Sequence, residues 1–430
     1  MGIFKFSMGM LKKEYKQSIV YTLTLCLSIA VCFLFFNIID NPYLIEHMEE
    51  EIIYLKVPFS SIISFVIIIF CAFMIIFANN FYISKKTKEI AIMTMSGSSY
   101  LDITLYLFYQ NIVMTVIAFP LGILIGCLAS MCVNQMIYQY LSYQISFFYL
   151  PMDIFSHTLF SVMFIILAQL LYASGFVYRK DISYMLSQNN KSSSDDIRII
   201  SFSPILYIFI YVLGILILIT SIYSLDSVIV ASAIGMFGIN GMIKYYLESF
   251  LLKIKKCKYL KDSLKLISLS HLYYSLRKSV LLVVLYGVST SMMVGVIIFQ
   301  QNNVRNMMTA IIAYVVIIVL LLSSIIYKYL MEAYGRKMMY FNLYKLGYSY
   351  HQLVCIIRQE IMFFYEFVIG MPFIFIIIIL VRAYTIQEVT VLFIFIIIGS
   401  QILSGLFTGI LTYHSYKKIV LRFFKEDVNL

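Results

Sequence analysis

Ten apolar runs, most of them close to the ~20 residues a helix needs to cross the hydrocarbon core of a bilayer, leave this chain few possible folds. They are Ser18 to Ile39, Phe59 to Asn79, Ile103 to Val133, Ser156 to Val177, Ser203 to Ser224, Ser227 to Ile243, Val280 to Phe299, Met308 to Ile326, Val354 to Val381 and Val389 to Tyr413. Strands of an outer-membrane barrel would alternate in runs of about ten residues, so these runs predict helices. Composition agrees, with 62% of the 430 residues hydrophobic and 12% charged, against an apolar share of about 45–50% in soluble domains. The expected fold is an all-α polytopic membrane protein with ten transmembrane helices.

The formal charge of +11 is spread over short loops rather than gathered in one patch, which argues against nucleic acid as a partner. All but Lys56, Arg305, Arg382 and Arg358, the last near the start of span nine, of the 32 lysines and arginines lie at the termini or in alternate loops on their side. That side is expected to be cytoplasmic, with the chain a multi-pass protein of the cell membrane. The seven cysteines show no CxxC spacing, so neither a disulfide framework nor a zinc site is supported, and all read as structural. The run from Ser18 to Ile39 is too long for a signal-peptide core and ends at NIIDNP without a small-x-small cleavage site, so it reads as a retained first span.

Five segments follow. Residues 1–57 hold the first span and an acidic outer loop, and 58–182 hold the first of two similar units. The serine-rich stretch 183–202 (SYMLSQNNKSSSDD within it) is linker-like. Residues 203–307 hold the central spans and a basic loop, Lys244 to Lys278, whose leucines and tyrosines are spaced for an amphipathic surface helix and whose lysines would favour anionic lipid. Residues 308–430 hold the second unit. The aromatic outer loop Asn134 to Phe155 is expected to lie along the membrane interface.

The two units share a repeat. With Gly97 set over Gly347, KKTKEIAIMTMSGSSYLDI stands over GRKMMYFNLYKLGYSYHQL, so Lys86 falls on Arg336 and Met93 on Leu343. Six spans separate the copies, which predicts parallel rather than inverted units. Lys85, Lys86 and Lys88 are expected to hold the first copy at the cytoplasmic surface. Glu89 to Met95 would form two helical turns presenting Ile90, Met93 and Thr94 to a soluble partner, ended by Gly97. The second contact would use Arg336, Lys337, Leu343 and Gly347. Glu89 has Met339 opposite it, so the two contacts are expected to be unequal.

No G-x-x-x-x-G-K-[ST], HExxH or Gly-x-Ser-x-Gly motif occurs, so no enzyme active site is expected, and any nucleotide hydrolysis must come from another polypeptide. Ionisable residues inside spans are costly, which makes Glu366 in span nine the clearest intramembrane candidate. Gln110, Asn111, Gln169, Asn240 and Gln401 read as hydrogen bonds between helices, and Gly122 with Gly126, like Gly405 with Gly409, as small-residue contacts that let helices approach. Pro120 is expected to kink span three.

The repeated stretch resembles the cytoplasmic coupling segment of FtsX-like ABC transporter permeases. Tyr21 to Ile38 (YTLTLCLSIAVCFLFFNI), Asn79 to Ile90 (NNFYISKKTKEI) and Leu264 to Ser289 (LKLISLSHLYYSLRKSVLLVVLYGVS) resemble the bacitracin-export, or Bce-type, branch. In that branch ten spans carry the duplicated unit in spans two to four and eight to ten, and the resemblance covers nearly the whole chain. It implies the membrane subunit of an ATP-driven transporter, with a dimeric cytoplasmic ABC ATPase docked at the two segments. ATP and magnesium would be used by that partner, and no cofactor is implied for this chain. The resemblance also implies an antimicrobial peptide, bacteriocin or lipid-linked cargo, a resistance or immunity role, contact with membrane lipids, and a sensor histidine kinase as a further candidate partner. One departure stands out: only Gln300 to Asn306 joins spans seven and eight, where the Bce-type branch carries a large extracellular domain associated with peptide recognition. Two alternatives are an FtsX-like mechanotransmitting module that regulates a cell-wall enzyme or kinase without transport, and an ion-coupled transporter resting on Glu366.

Overall fold

Inside a bilayer every backbone N–H and C=O must find its partner within the chain, and apolar segments of this length do so as helices. The computed structural model describes residues 2–43, 59–140, 146, 148–179, 204–220, 224–258 and 262–421. Among the described residues nine helices are long and apolar enough to span a membrane, and a tenth apolar helix, Pro204–Thr220, has 17 residues. The linker 183–202 and the acidic loop beyond Tyr43 lie outside the described residues. The chain divides into two compact units, Met1–Ile200 and Ser201–Leu430.

In the first unit a short helix α1 (Ile3–Lys13) turns at Glu14 into α2 (Tyr15–Asp40), followed by α3 (Phe59–Lys85), the short α4 (Thr87–Met95), the 41-residue α5 (Tyr100–Tyr140) and α6 (Asp153–Arg179). α2 and α5 run in the same direction in close contact. A Cβ on Gly122 would stand 2.8 Å from Ile29 and one on Gly126 2.9 Å from Phe33. Further along, Asn37 donates to Asn134 and Asn41 to Tyr138, both at 2.8 Å. The Gly122–Gly126 pair thus lets two spans meet at backbone distance. Pro120 lies within α5. Within the aromatic outer loop expected from Asn134 on, α5 continues as far as Tyr140, and Asn134 and Tyr138 bond to α2, while residues 141–145 and 147 of that loop lie outside the described residues.

The second unit opens with a hairpin, α7 (Pro204–Thr220) and α8 (Leu225–Gly241), the latter started by a Ser224–Ser227 capping box. Glycines set these two at backbone contact, since a Cβ on Gly214 would meet Gly235 at 2.9 Å and one on Gly238 would meet Tyr211 at 2.7 Å. A π-helical turn, Met242–Tyr246, leads into α9 (Leu247–Lys258), so the first half of the basic loop extends a span rather than lying free on the surface. α10 (Ser263–Lys278), α11 (Val280–Phe299), α12 (Val304–Lys345), α13 (Tyr350–Thr385) and α14 (Val391–Val420) complete the unit. Gly405 of α14 faces Ile369 of α13, with a Cβ 1.9 Å from its Cδ1, and Gly409 faces Tyr365 at 3.7 Å.

The repeat is larger than the sequence suggests. A short helix followed by a span (α1–α2, α10–α11) precedes the three-span core in each unit, and α1 packs on α5 as α10 packs on α13. Where the first unit breaks between α3 and α4, the second runs unbroken. Lys86 interrupts the first (φ −83°, ψ −1°) and bonds back to Ile83, whereas α12 continues through Arg336 for 42 residues.

Candidate functional site

Two helix ends, one in each unit, carry the same construction. Gly97 (φ +84°) and Gly347 (φ +96°) occupy the left-handed region that glycine enters at little cost. Ser98 N–H donates to Met93 O at 3.1 Å and Gly97 N–H to Thr94 O at 3.1 Å. In the second unit Tyr348 N–H donates to Leu343 O at 3.2 Å and Gly347 N–H to Tyr344 O at 2.9 Å. This pair of bonds is the Schellman closure of a helix C-terminus. Each turn then starts the next span with a reciprocal cap: Ser99 and Asp102 at 3.1 and 3.2 Å, Ser349 and Gln352 at 2.9 and 3.4 Å. The sequence signal is therefore Gly-x-Ser-x-x-Asp/Gln at matched positions, longer than the glycine alone.

The exposed face of each turn is not the expected one. Ile90 is fully buried in a core with Ile83, Ala91, Ile103, Tyr106, Leu107 and Ala173, and Met93 packs against it with Ile3 and Met10. α1 and the near ends of α5 and α6 thus provide a place for the apolar side of α4. Facing outward are Ile92 (61% exposed), Met95 (66%), Ser96 and Gly97. In the second unit the matching positions Asn342, Lys345, Leu346 and Gly347 are likewise exposed, Leu346 at 76%. Leu343, like Met93, is half-buried, as are Lys85 and Lys337. The backbone of Lys88 lies in α4, and its side chain lies outside the described atoms.

Lys86 and Arg336, expected at the surface, are buried beneath the turns. The Lys86 ammonium pairs with Glu14 and with Glu89, the latter at 3.2 Å, and Tyr106 donates to Glu89 at 2.7 Å. Burial, then the neighbouring Glu89 carboxyl, pushes the Glu14 carboxyl above its ordinary value of 4.5 despite Lys86. Burial also works against the Lys86 charge, but Tyr82, Glu89 and Glu14 together outweigh it and raise the ammonium's pKa. Lys86 therefore stays charged and ties α1, α4 and the end of α3 together.

Arg336 does the same in the second unit with other partners. Its guanidinium reaches Glu360 at 2.6 Å, Glu332 at 3.3 Å and Ser275 at 3.2 Å. Lys328 stands 3.3 Å from Glu332 and donates to the Ser275 carbonyl at 3.0 Å, and His271 Nδ1 lies 3.2 Å from Glu360. Ser275 donates to Glu332 and Glu360 at 3.1 and 3.0 Å. The cluster joins α10, α12 and α13. The asymmetry read from Glu89 and Met339 is therefore not a difference in an exposed contact. The carboxylates serving the second cation come from Glu332 and Glu360, which align with Tyr82 and Gln110, and those two are hydrogen-bonded to one another at 3.0 Å.

Of the polar span residues, Gln401 accepts from Tyr286 at 2.5 Å and donates to Tyr314 at 2.9 Å, Asn111 bonds Asn79 at 3.2 Å, and Gln169 bonds Tyr21 at 3.3 Å. Each joins two or more helices. Glu366 differs from all of them, being exposed on α13.

The first of the two turns lies within a segment that has known relatives. Residues 61–180 match the family described as FtsX-like permease C-terminal. This FtsX-like segment takes in α4, the Gly97 turn, α5 and α6, together with most of α3. No curated protein matches the chain.

Proposed function

We propose that the chain is the permease subunit of an ATP-driven ABC transporter of the FtsX-like kind, resembling the Bce-type branch, with one ATPase protomer seated on each turn. The observation that carries this reading is the return, at Gly347, of the turn found at Gly97 inside the FtsX-like segment. The same exposed positions recur in both. In this reading the turns and both termini face the cytoplasm. Docking uses Ile92, Met95 and Ser96 in the first unit and Asn342, Lys345 and Leu346 in the second. The partner binds ATP and magnesium and performs the hydrolysis. Lys86 and Arg336 act beneath the surface, holding each turn to the helices that must move with it. The cargo is an antimicrobial peptide, bacteriocin or lipid-linked amphiphile taken from the membrane, which gives resistance or immunity, and a sensor histidine kinase is a candidate further partner.

The test is co-purification of the full chain with its ABC ATPase. Ile92→Asp combined with Leu346→Asp places a carboxylate in each exposed face and is expected to abolish binding, with the helical content unchanged. Thr385→Asp, exposed at the other end of α13, is expected to leave binding intact. An ATPase that remains bound to the double variant would refute the docking site.

A further inference from the structure

Glu366 stands inside the apolar stretch of α13, about 9 Å along the axis from Glu360 and about 24 Å from Arg382 at 1.5 Å per residue. It is exposed, and among the described residues it has no hydrogen-bond or ion-pair partner. The residues around it form a stripe at four-residue spacing, in which Met362 is 59% and Ile374 42% exposed. Between them Gly370 is also exposed, and a Cβ there would meet nothing within 4 Å.

The first unit shows what this stripe looks like when it needs only lipid. With the repeat aligned at the two glycine turns, Met362, Glu366, Gly370 and Ile374 correspond to Ile112, Val116, Pro120 and Leu124 of α5. Those four are all apolar, with Val116 66% and Leu124 61% exposed. The second unit has placed a carboxylate and an open glycine notch, one turn apart, where the first keeps valine and proline.

An ionisable group in the hydrocarbon core is stable only when it finds a counter-charge, hydrogen-bond donors or water. A small residue one turn away lets another helix approach at backbone distance. We propose that this stripe of α13 is the docking surface for a membrane-spanning helix of another polypeptide bearing a lysine or arginine inside its apolar span, level with Glu366. The cation faces Glu366 and the backbone lies over Gly370. Charge selects that partner, because a second copy docked through the same stripe would set carboxylate against carboxylate, and a purely apolar helix would leave Glu366 unpaired. The surface is distinct from the turns, so it stands or falls independently of ATPase docking.

The full chain is reconstituted in phosphatidylcholine vesicles with benzoylphenylalanine at Met362, one turn from Glu366. Two designed leucine–alanine transmembrane peptides serve as probes, one with a single lysine level with Glu366 and its twin with leucine there. The lysine peptide is expected to photo-crosslink at least tenfold more than the leucine peptide. The excess is expected to vanish in both Glu366→Val and Glu366→Gln, each checked for unchanged thermal unfolding. Equal yields from the two peptides, or an excess that persists in either variant, would overturn the proposal. In native membranes the same photoprobe is expected to capture a separate polypeptide with a basic residue inside its apolar span, and to lose it in Glu366→Val. A crosslink to residues 1–200 of the same chain, or to lipid alone, would overturn it as well.

Discussion

Replacing Arg336 by methionine should be among the most damaging single changes to the second unit. The guanidinium is shared by Glu332 and Glu360, whose side chains are 2% and 1% exposed. Methionine fills much of the space but leaves these two carboxylates with Lys328, His271 and the Ser275 hydroxyl. Removing one partner of a buried ion pair costs about 3–5 kcal/mol, because an uncompensated charge stays behind. For a soluble domain of this size that corresponds to a fall in Tm of about 6–20 °C. Lys86→Met provides the comparison, since the side chains of its partners Glu14 and Glu89 are 26% and 19% exposed and can regain water. Its cost should be nearer 1–2 kcal/mol, on the order of an unsatisfied but hydratable group. The chain has no tryptophan, so unfolding is best followed by circular dichroism at 222 nm in lipid nanodiscs. Glu360→Gln added to Arg336→Met should restore at least half of the lost stability, the signature of coupled neighbours. A Lys86→Met loss equal to or larger than that of Arg336→Met, or a Glu360→Gln that deepens the defect, would refute the reasoning.

Gly97→Ala and Gly347→Ala should each cost about 1–2 kcal/mol through backbone strain alone, since open space surrounds both positions. Asparagine should cost less than alanine at either site, and thermal unfolding reads the difference. Gly122→Ala should loosen α2 from α5, because its Cβ would stand 2.8 Å from Ile29 and 3.0 Å from the Cys26 carbonyl oxygen, whereas Gly409→Ala, with 3.7 Å to Tyr365, should be neutral within about 0.5 kcal/mol. Cysteine crosslinking across α2 and α5 follows the first, and Tm follows both. The raised Glu14 pKa means that protonation favours the folded form. Wild type should therefore gain stability as pH falls from 8 toward the ordinary value of 4.5, relative to Glu14→Gln. A wild-type curve that runs parallel to that of Glu14→Gln would contradict this.

What could be read from the sequence depended on whether one residue type forces the conformation. Gly97 and Gly347 were legible because a positive φ after a helix calls for glycine, and the spans because nothing but a helix hides twenty backbone amides from lipid. The outward face of α4 was not legible. Nine residues give barely two and a half turns, and EIAIMTM offers apolar groups in every direction. The choice between Ile90 and Ile92 was made by a core drawn from α3, α5 and α6 and edged by α1, most of it distant in sequence. Lys86 and Arg336 looked like solvated charges for the same reason, since Glu14 and Glu360 are distant in sequence. The second unit's carboxylates could not be found by aligning the repeat, because Glu360 stands where the first unit has Gln110. The one residue singled out early as an unexplained intramembrane charge, Glu366, has no hydrogen-bond or ion-pair partner among the described residues.

The continuity of α12 and the interruption at Lys86 give the two turns different mechanical properties. The 42 residues of α12 form a rod about 63 Å long, ending at the second turn, so a push at Leu346 arrives at Asn303 with little delay or loss. A push at Met95 meets a joint first, and the core shared by Ile90 and Ile83, with the bonds of Lys86 to its two carboxylates, decides how much passes into α3. Identical strokes applied at the two ends would therefore produce unequal displacements within the membrane. Stiffening the joint, rather than altering either turn, is the change that would make the two halves respond alike.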